Sequence, residues 1–143
     1  MKKLNKVIGY AVPILCGISF FLIMRFVLMV GYVPTSSMAP TIPPNTFIFG
    51  YRIYKELNCG DIIIFKHNNS LLVKRIVAVP GETIYIDENN DLVKDEKYAK
   101  RILIVPQNCY FLVGDNINNS YDSRYWDDPF VEKSQIIAKL WLK

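Results

Sequence analysis

The chain has 143 residues, 51% hydrophobic and 21% charged, a balance that excludes a disordered or collagen-like chain and limits it to one sizeable domain. Its formal net charge of +4 belongs entirely to residues 1–33, which carry Lys2, Lys3, Lys6 and Arg25 and no acid, while residues 34–143 hold 13 basic and 13 acidic residues. A nucleic-acid-binding surface is therefore not expected, because neutralising phosphates takes clustered Lys and Arg on the folded part.

Residues 7–24 run VIGYAVPILCGISFFLIM, 18 positions without a charge, followed by Arg25 and FVLMVGYV. As a helix they rise roughly 27 Å, close to the ~30 Å hydrocarbon core of a bilayer. Arg25 can snorkel to the headgroups, Tyr32 suits the outer interface, and Pro13 kinks such a helix without excluding it. A cleaved signal peptide would end its apolar run at a small-x-small site, and MVGYVP contains none. A buried core helix would show a polar face, and this run has none. The reading is a cytoplasmic tail over 1–6, a single-pass anchor over 7–30 and a domain over 31–143. The lysines before the span put the N-terminus in the cytoplasm and the domain on the extracytoplasmic face of the cell membrane.

Beyond residue 33 the periodicity is that of strands. Short apolar or β-branched runs at 47–49 and 61–66 come first. Residues 67–70 read as a turn, and 71–79 as the returning strand. Pro80-Gly81 breaks the chain. Runs at 83–86 and 92–93 flank the 87–91 turn as a second small hairpin, and strands follow at 110–113 and 136–142. No soluble helix is expected. The fold class is mainly β: one N-terminal transmembrane helix, then a compact all-β domain with a small hairpin insertion. Cys16 falls in the span. Cys59 and Cys109 lie in the exported part, where oxidation is permitted; two unpaired thiols are favoured over a bond between them. His67 is the one histidine and reads as a solvated turn residue. No Cys/His spacing suggests a metal, and no cofactor is expected.

Three clusters carry candidate chemistry. In VPTSSMAPTI (33–42) two prolines bracket a run of hydroxyls and hold the backbone extended; read alone, it is equally a linker. In LVKRIVAVPG (72–81) a basic pair stands in an apolar strand. Successive strand residues face opposite sides, so one of Lys74 and Arg75 is expected to point inward. GDNINNSYDSRYW (114–126) is dense in hydrogen-bonding side chains and reads as an ordered polar loop.

Together these clusters resemble the bacterial type I signal peptidases, membrane-anchored serine endopeptidases with a Ser/Lys dyad. The resemblance covers the anchor and nearly all of 31–126. It rests on PTSSMAPT at 34–41, GDIIIF at 60–65, KRIVAVPGE at 74–82 and the GDN–NS–DSRYW pattern at 114–126, in that order. It implies a hydrolase that removes N-terminal signal peptides from secretory preproteins at the bilayer surface. Ser37 would be the nucleophile and Lys74 the general base. A serine hydroxyl needs a neighbouring base, and an amine serves only when neutral, which burial among Leu72, Val73 and Ile76 favours. Ser120 would orient the Lys74 amine, and Thr35 would join the Ser37 N–H in the oxyanion hole. Arg75 would pair with Asp115, and Asp122 and Arg124 would support the site from beneath. The substrate pockets map onto Val33, Met38, Ile42, Ile48, Ile64 and Val73, which suit small residues at positions −1 and −3 of the cleavage site.

This sequence departs from the pattern at Ile117 and Asn118, where Arg-Asp is frequent, and at Asp127, where Gly is usual. Two alternatives stand beside the main reading. One is a specialised conjugation- or pilin-processing peptidase of the same clan. The other is a non-catalytic anchored β domain that binds peptides.

Overall fold

The structure is a computed structural model that describes residues 2–142, with side chains from residue 9 onward. Helix α1 spans Lys2–Leu22 with Pro13 inside it, and a π-helical turn, Ile23–Val27, carries Arg25 at its middle. The stretch Gly9–Val27, of mean hydropathy 2.0, is long and apolar enough to cross a membrane, and none of it is buried against the domain. Met1 and Lys143 lie outside the described residues, as do the side chains of the expected tail.

Strand β1, Leu28–Val33, follows the π turn at once and pairs antiparallel with β2, Thr46–Tyr51, from Leu28 opposite Tyr51 to Val33 opposite Thr46. Leu28, Met29 and Val30, expected at the end of the anchor, are therefore strand residues. Hydropathy alone cannot separate a lipid-facing turn from a half-buried apolar strand.

The main sheet has seven strands in the order β1-β2-β10-β3-β4-β8-β9, with every pairing antiparallel. Its centre is the hairpin of β3, Ile62–His67, and β4, Ser70–Ala78. Asn68 and Asn69 join them with φ of 45° and 65°. Two successive positive φ values define the tight turn whose twist matches a hairpin, and asparagine tolerates them best after glycine. Ile62 to Phe65 are all buried because both faces of the sheet are covered. Ile62 and Ile64 join one cluster with Val33, Met38, Ile42 and Ile48, whereas Ile63 and Phe65 join another with Ile76, Leu112 and Trp126.

The remaining main-sheet strands are β8, Cys109–Val113, β9, Phe130–Glu132, and β10, Ile136–Leu140. A small second sheet, β6-β5-β7, is made of β5, Thr83–Ile86, β6, Leu92–Val93, and β7, Arg101–Ile104. It packs through Ile84 and Ile86 on Ala78, Phe111 and Val113. Cys59 and Cys109 are free thiols. His67 ends β3 half-buried, its ring stacked 4.0 Å from that of Trp126, so it is more enclosed than the expected solvated turn residue.

Candidate active site

The loop between β1 and β2 carries Thr35, Ser36 and Ser37. Apolar side chains anchor it from below: Met38 and Ile42 are 0% and 1% exposed. A one-turn bond from Ile42 N to Met38 O, 2.8 Å, tightens it. The polar loop after β8 holds it from above. Asn116 donates its backbone N–H to Ser37 O at 3.0 Å and its side-chain amide to Ser36 O at 3.1 Å, and the Asn119 amide donates to Ser36 Oγ at 2.7 Å. The loops approach closely at Gly114. A Cβ there would collide with Ser120 Oγ and come within 2.5 Å of Ser37 O. Glycine at 114 is thus a packing requirement. The serine-bearing segment is clamped along its backbone, which leaves Ser37 Oγ on the cleft side, 3.4 Å from Thr35 Oγ1.

Lys74 lies on β4 opposite Ile63 and is 4% exposed. Its amine donates to Ser120 Oγ at 2.9 Å. Ser120 in turn donates to Asp122 Oδ2 at 2.6 Å, which also accepts the Gly114 N–H at 2.9 Å. With the Ser120 hydrogen committed to the carboxylate, its oxygen presents lone pairs to Lys74. Burial pushes the Lys74 amine below the ordinary lysine range; the Arg124 charge adds to this, and Asp122 and Asp115 oppose it. A lysine with a depressed pKa gives up its proton more readily than an exposed one. Ser37, Thr35, Lys74 and Ser120 all line one open cleft of about 540 Å³.

Beneath the cleft, Asp122 and Arg124 are 0% and 1% exposed and joined by Arg124 Nε to Asp122 Oδ1 at 2.9 Å. Arg124 also donates to Ile117 O at 2.9 Å. That contact uses the backbone of residue 117, so isoleucine at this position does not remove it. Ile117 and Asn118 lie in an exposed single 3₁₀ turn, and Asp127 is exposed. On the other face of β4, Arg75 makes a two-pronged bond to Asp115 at 2.7 and 2.6 Å and donates to Gly60 O at 2.7 Å. Burial raises the Asp115 carboxyl, but bonds from Arg75 and Thr41 and the Arg75 and Lys74 charges outweigh it and bring it below the usual range. Lys74 and Arg75 are thus both turned into the protein, one on each side of the strand.

Five of the six expected pocket residues, Val33, Met38, Ile42, Ile48 and Ile64, are less than 5% exposed and belong to one cluster. Val73, half-buried, packs against it. The structure therefore brings all six together as the apolar bed beside the Ser37 loop. The residues that sequence reasoning did not single out are Ser36, Gly114, Asn116 and Asn119. Ser36 was visible only as part of the hydroxyl run at 33–42, and the other three only as part of the polar loop at 114–126. Among the described residues, no three His, Cys, Asp or Glu side chains assemble into a metal site.

The chain matches the family described as "Signal peptidase, peptidase S26" over residues 4–104 and 90–142, and it belongs to that family. It is 29% identical to a probable signal peptidase I-2 of Synechocystis, with 99% of this chain and 72% of that protein aligned. To a signal peptidase I of Leptolyngbya laminosa it is 30% identical, covering 94% and 74%. An inactive signal peptidase IA of Staphylococcus aureus is 26% identical over 98% of this chain and 92% of its own length. Among solved structures, a signal peptidase I from Enterococcus faecalis aligns at 24% identity with a TM-score of 0.46, covering 62% of this chain and 99% of that one.

Proposed function

We propose that this chain is an active type I signal peptidase: a serine endopeptidase, anchored by α1, that cleaves signal peptides from secretory preproteins with Ser37 as nucleophile and Lys74 as general base. The observation that carries the proposal is the environment of Lys74. Its amine sits in an apolar strand, bonded to a hydroxyl and not to a carboxylate, on the same cleft as Ser37. A neutral Lys74 accepts the Ser37 proton as Oγ attacks the scissile carbonyl, and then donates it to the leaving amine. Ser120 holds the amine in place, and the Ser37 N–H and Thr35 hydroxyl face the developing oxyanion. Arg75, Asp115, Asp122 and Arg124 hold the strand and loop that present these groups. The relatives include an inactive member, so activity turns on this chain's own residues, and both the serine and the lysine stand at one cleft.

The apolar bed of Val33, Met38, Ile42, Ile48, Ile64 and Val73 selects small residues at positions −1 and −3. Lys2, Lys3 and Lys6 keep the N-terminus of the anchor in the cytoplasm and the domain outside. Because β1 starts directly after the π turn, the cleft lies close to the outer membrane surface, where a preprotein's own apolar segment is embedded.

The test is cleavage of a preprotein by the purified protein in detergent. Wild type is expected to release the mature protein at a site preceded by Ala, Gly or Ser. Ser37→Ala is expected to lose turnover with an unchanged melting temperature. Equal cleavage by Ser37→Ala sinks the assignment.

A further inference from the structure

We propose that Arg101, on strand β7 of the small sheet, is a positioning residue for the Lys74 amine: it holds the Arg124 backbone carbonyl and thereby fixes the guanidinium that draws the Asp122 carboxylate away from Lys74. The proposal rests on the peptidase reading above and gives the small sheet a part in that same site.

The contact begins in the strand. Along β7, Ile102 and Ile104 are exposed, whereas Arg101 and Leu103 are half-buried on the other face. Leu103 packs there against the cluster of Ala78, Phe111 and Val113, so alternation directs Arg101 towards the main sheet as well. Its Nη2 donates to Arg124 O at 2.6 Å, and among the described residues no other group bonds that carbonyl. A second acceptor, Asn90 Oδ1, lies at 3.5 Å. Asn90 belongs to the 87–91 turn, in which Asp87 Oδ1 accepts the N–H groups of Asn89 and Asp91. From the same turn, Asp91 Oδ1 comes within 3.7 Å of Arg124 Nη1. The small sheet therefore meets Arg124 twice, at its carbonyl and at its guanidinium.

Arg124 follows directly on the point where its loop is tied to the main sheet. Ser123 donates its N–H to Leu112 O at 3.1 Å and accepts the Leu112 N–H on Oγ at 3.0 Å. The placement of residue 124, which that tie leaves open, is closed by Arg101. It matters because Arg124 holds both oxygens of Asp122, with Nε on Oδ1 at 2.9 Å and Nη2 on Oδ2 at 3.1 Å. Oδ2 is also the acceptor of the Ser120 hydroxyl, whose oxygen carries the Lys74 amine. One step out from Lys74 is a hydroxyl, the second is a carboxylate, the third a guanidinium, and the fourth is Arg101.

Charge gives the consequence. The 114–126 loop presents Asp122, Arg124 and Asp115 to the amine. The 33–42 loop brings it hydroxyls, the β3 residue opposite it is Ile63, and Tyr110–Val113 of β8 carry no charge. Burial depresses the Lys74 pKa; Asp122 opposes it, Arg124 sides with burial, and Asp115 opposes it more weakly. With Arg124 loosened, its repulsion of the ammonium weakens and Asp122 is left to draw on Lys74 through Ser120. Lys74 then keeps its proton to higher pH.

The test is Arg101→Met in the full chain in detergent, with Arg101→Gln as a second variant that suits an edge strand and is too short to reach the carbonyl. On the preprotein, the rising limb of kcat/KM against pH is expected to move up by about half a pH unit, so that the rate on that limb falls about threefold while the alkaline plateau is retained. Damage that is merely structural lowers the rate by one factor at every pH. Raising NaCl to about 0.5 M screens a half-exposed charge acting from a distance and should leave the shift in place. A shift erased by salt belongs to the Arg101 charge alone and overturns the positioning role. A second readout needs no turnover. The titration midpoint of the Lys74 side chain, followed by NMR in lysine-labelled protein and assigned by the signal lost in Lys74→Met, should rise by about the same half unit. If wild type cleaves nothing and the midpoint still rises, the peptidase reading falls and the coupling of Arg101 to Lys74 stands. A midpoint unmoved in folded Arg101→Met or Arg101→Gln overturns the proposal.

Discussion

Lys74 on β4 and Arg124 in the loop after β8 are both buried cations, at 4% and 1% exposure, but only one of them grips a carboxylate. Burial opposes the charge of each. For Arg124, the Asp122 bonds and charge outweigh that and hold the guanidinium firmly protonated. For Lys74, Asp122 acts only across space and through the Ser120 hydroxyl, so burial wins and its pKa falls. One carboxylate is shared between two cations, and geometry assigns it to the arginine. A buried charge that is paired acts as a structural strut; a buried amine offered only a hydroxyl holds its proton less tightly.

The largest expected effect tests the lysine side of that contrast. Lys74→Arg places a guanidinium that stays protonated at any working pH where a proton acceptor is required. Its kcat/KM should fall by roughly 10⁴-fold or more, measured on the preprotein substrate, and appreciable turnover would remove Lys74 from the base role. In wild type, kcat/KM should rise with pH through the depressed Lys74 pKa and then level off, since the neutral amine is the active form. A decline from pH 6 to 9 contradicts a lysine base.

The next effect tests the arginine side. Asp122→Ala leaves the Arg124 charge buried, with its carboxylate partner reduced to exposed Asp91 at 3.7 Å. Breaking one partner of such a pair costs about 3–5 kcal/mol, a large share of a small domain's stability. Urea unfolding should register the loss, and Asp122→Ala combined with Arg124→Leu should recover part of it. Full stability in the single variant would mean that the pair contributes little.

The smallest effect distinguishes the two sites by pH. Lys74→Met removes a buried amine at no cost in packing volume and should stabilise the domain by about 1 kcal/mol at neutral pH. The folded amine releases its proton below the unfolded value of roughly 10.4. Between the two pKa values the unfolded chain binds more protons, so wild-type stability rises with pH in that window. The advantage of Lys74→Met should be greatest below the folded pKa and shrink towards pH 10. An advantage independent of pH would place the gain in packing and not in the amine.

Much of the framework was legible in the residues. The Asn68-Asn69 turn, the isoleucine run of β3 and the small β5–β6 hairpin follow from local rules of twist, β-branching and turn chemistry. Strands β1, β7 and β9 were not legible. The first continues an apolar run that hydropathy assigns to lipid, and the other two are short runs, Arg101–Ile104 and Phe130–Glu132, outside any hairpin turn that marks them. They are strands because a neighbour supplies their hydrogen bonds. The inward turn of one member of the Lys74-Arg75 pair was expected from alternation. That both turn inward required a sheet covered on both faces.

The sequence by itself determined the apolar span, the charge imbalance at its N-terminal end, the β character of the rest and the residue types available to the cleft. Only the tertiary structure decided which of those groups line one cleft. Ser37, Lys74 and Ser120 come from three separate segments. The hydrogen bonds of Asn116 and Asn119 to Ser36 and Ser37 bridge about 80 positions of chain. The protonation of Lys74 depends on how much water the fold removes and on which cation takes Asp122. Those are properties of the packed volume around an atom, and no local pattern along the chain encodes them.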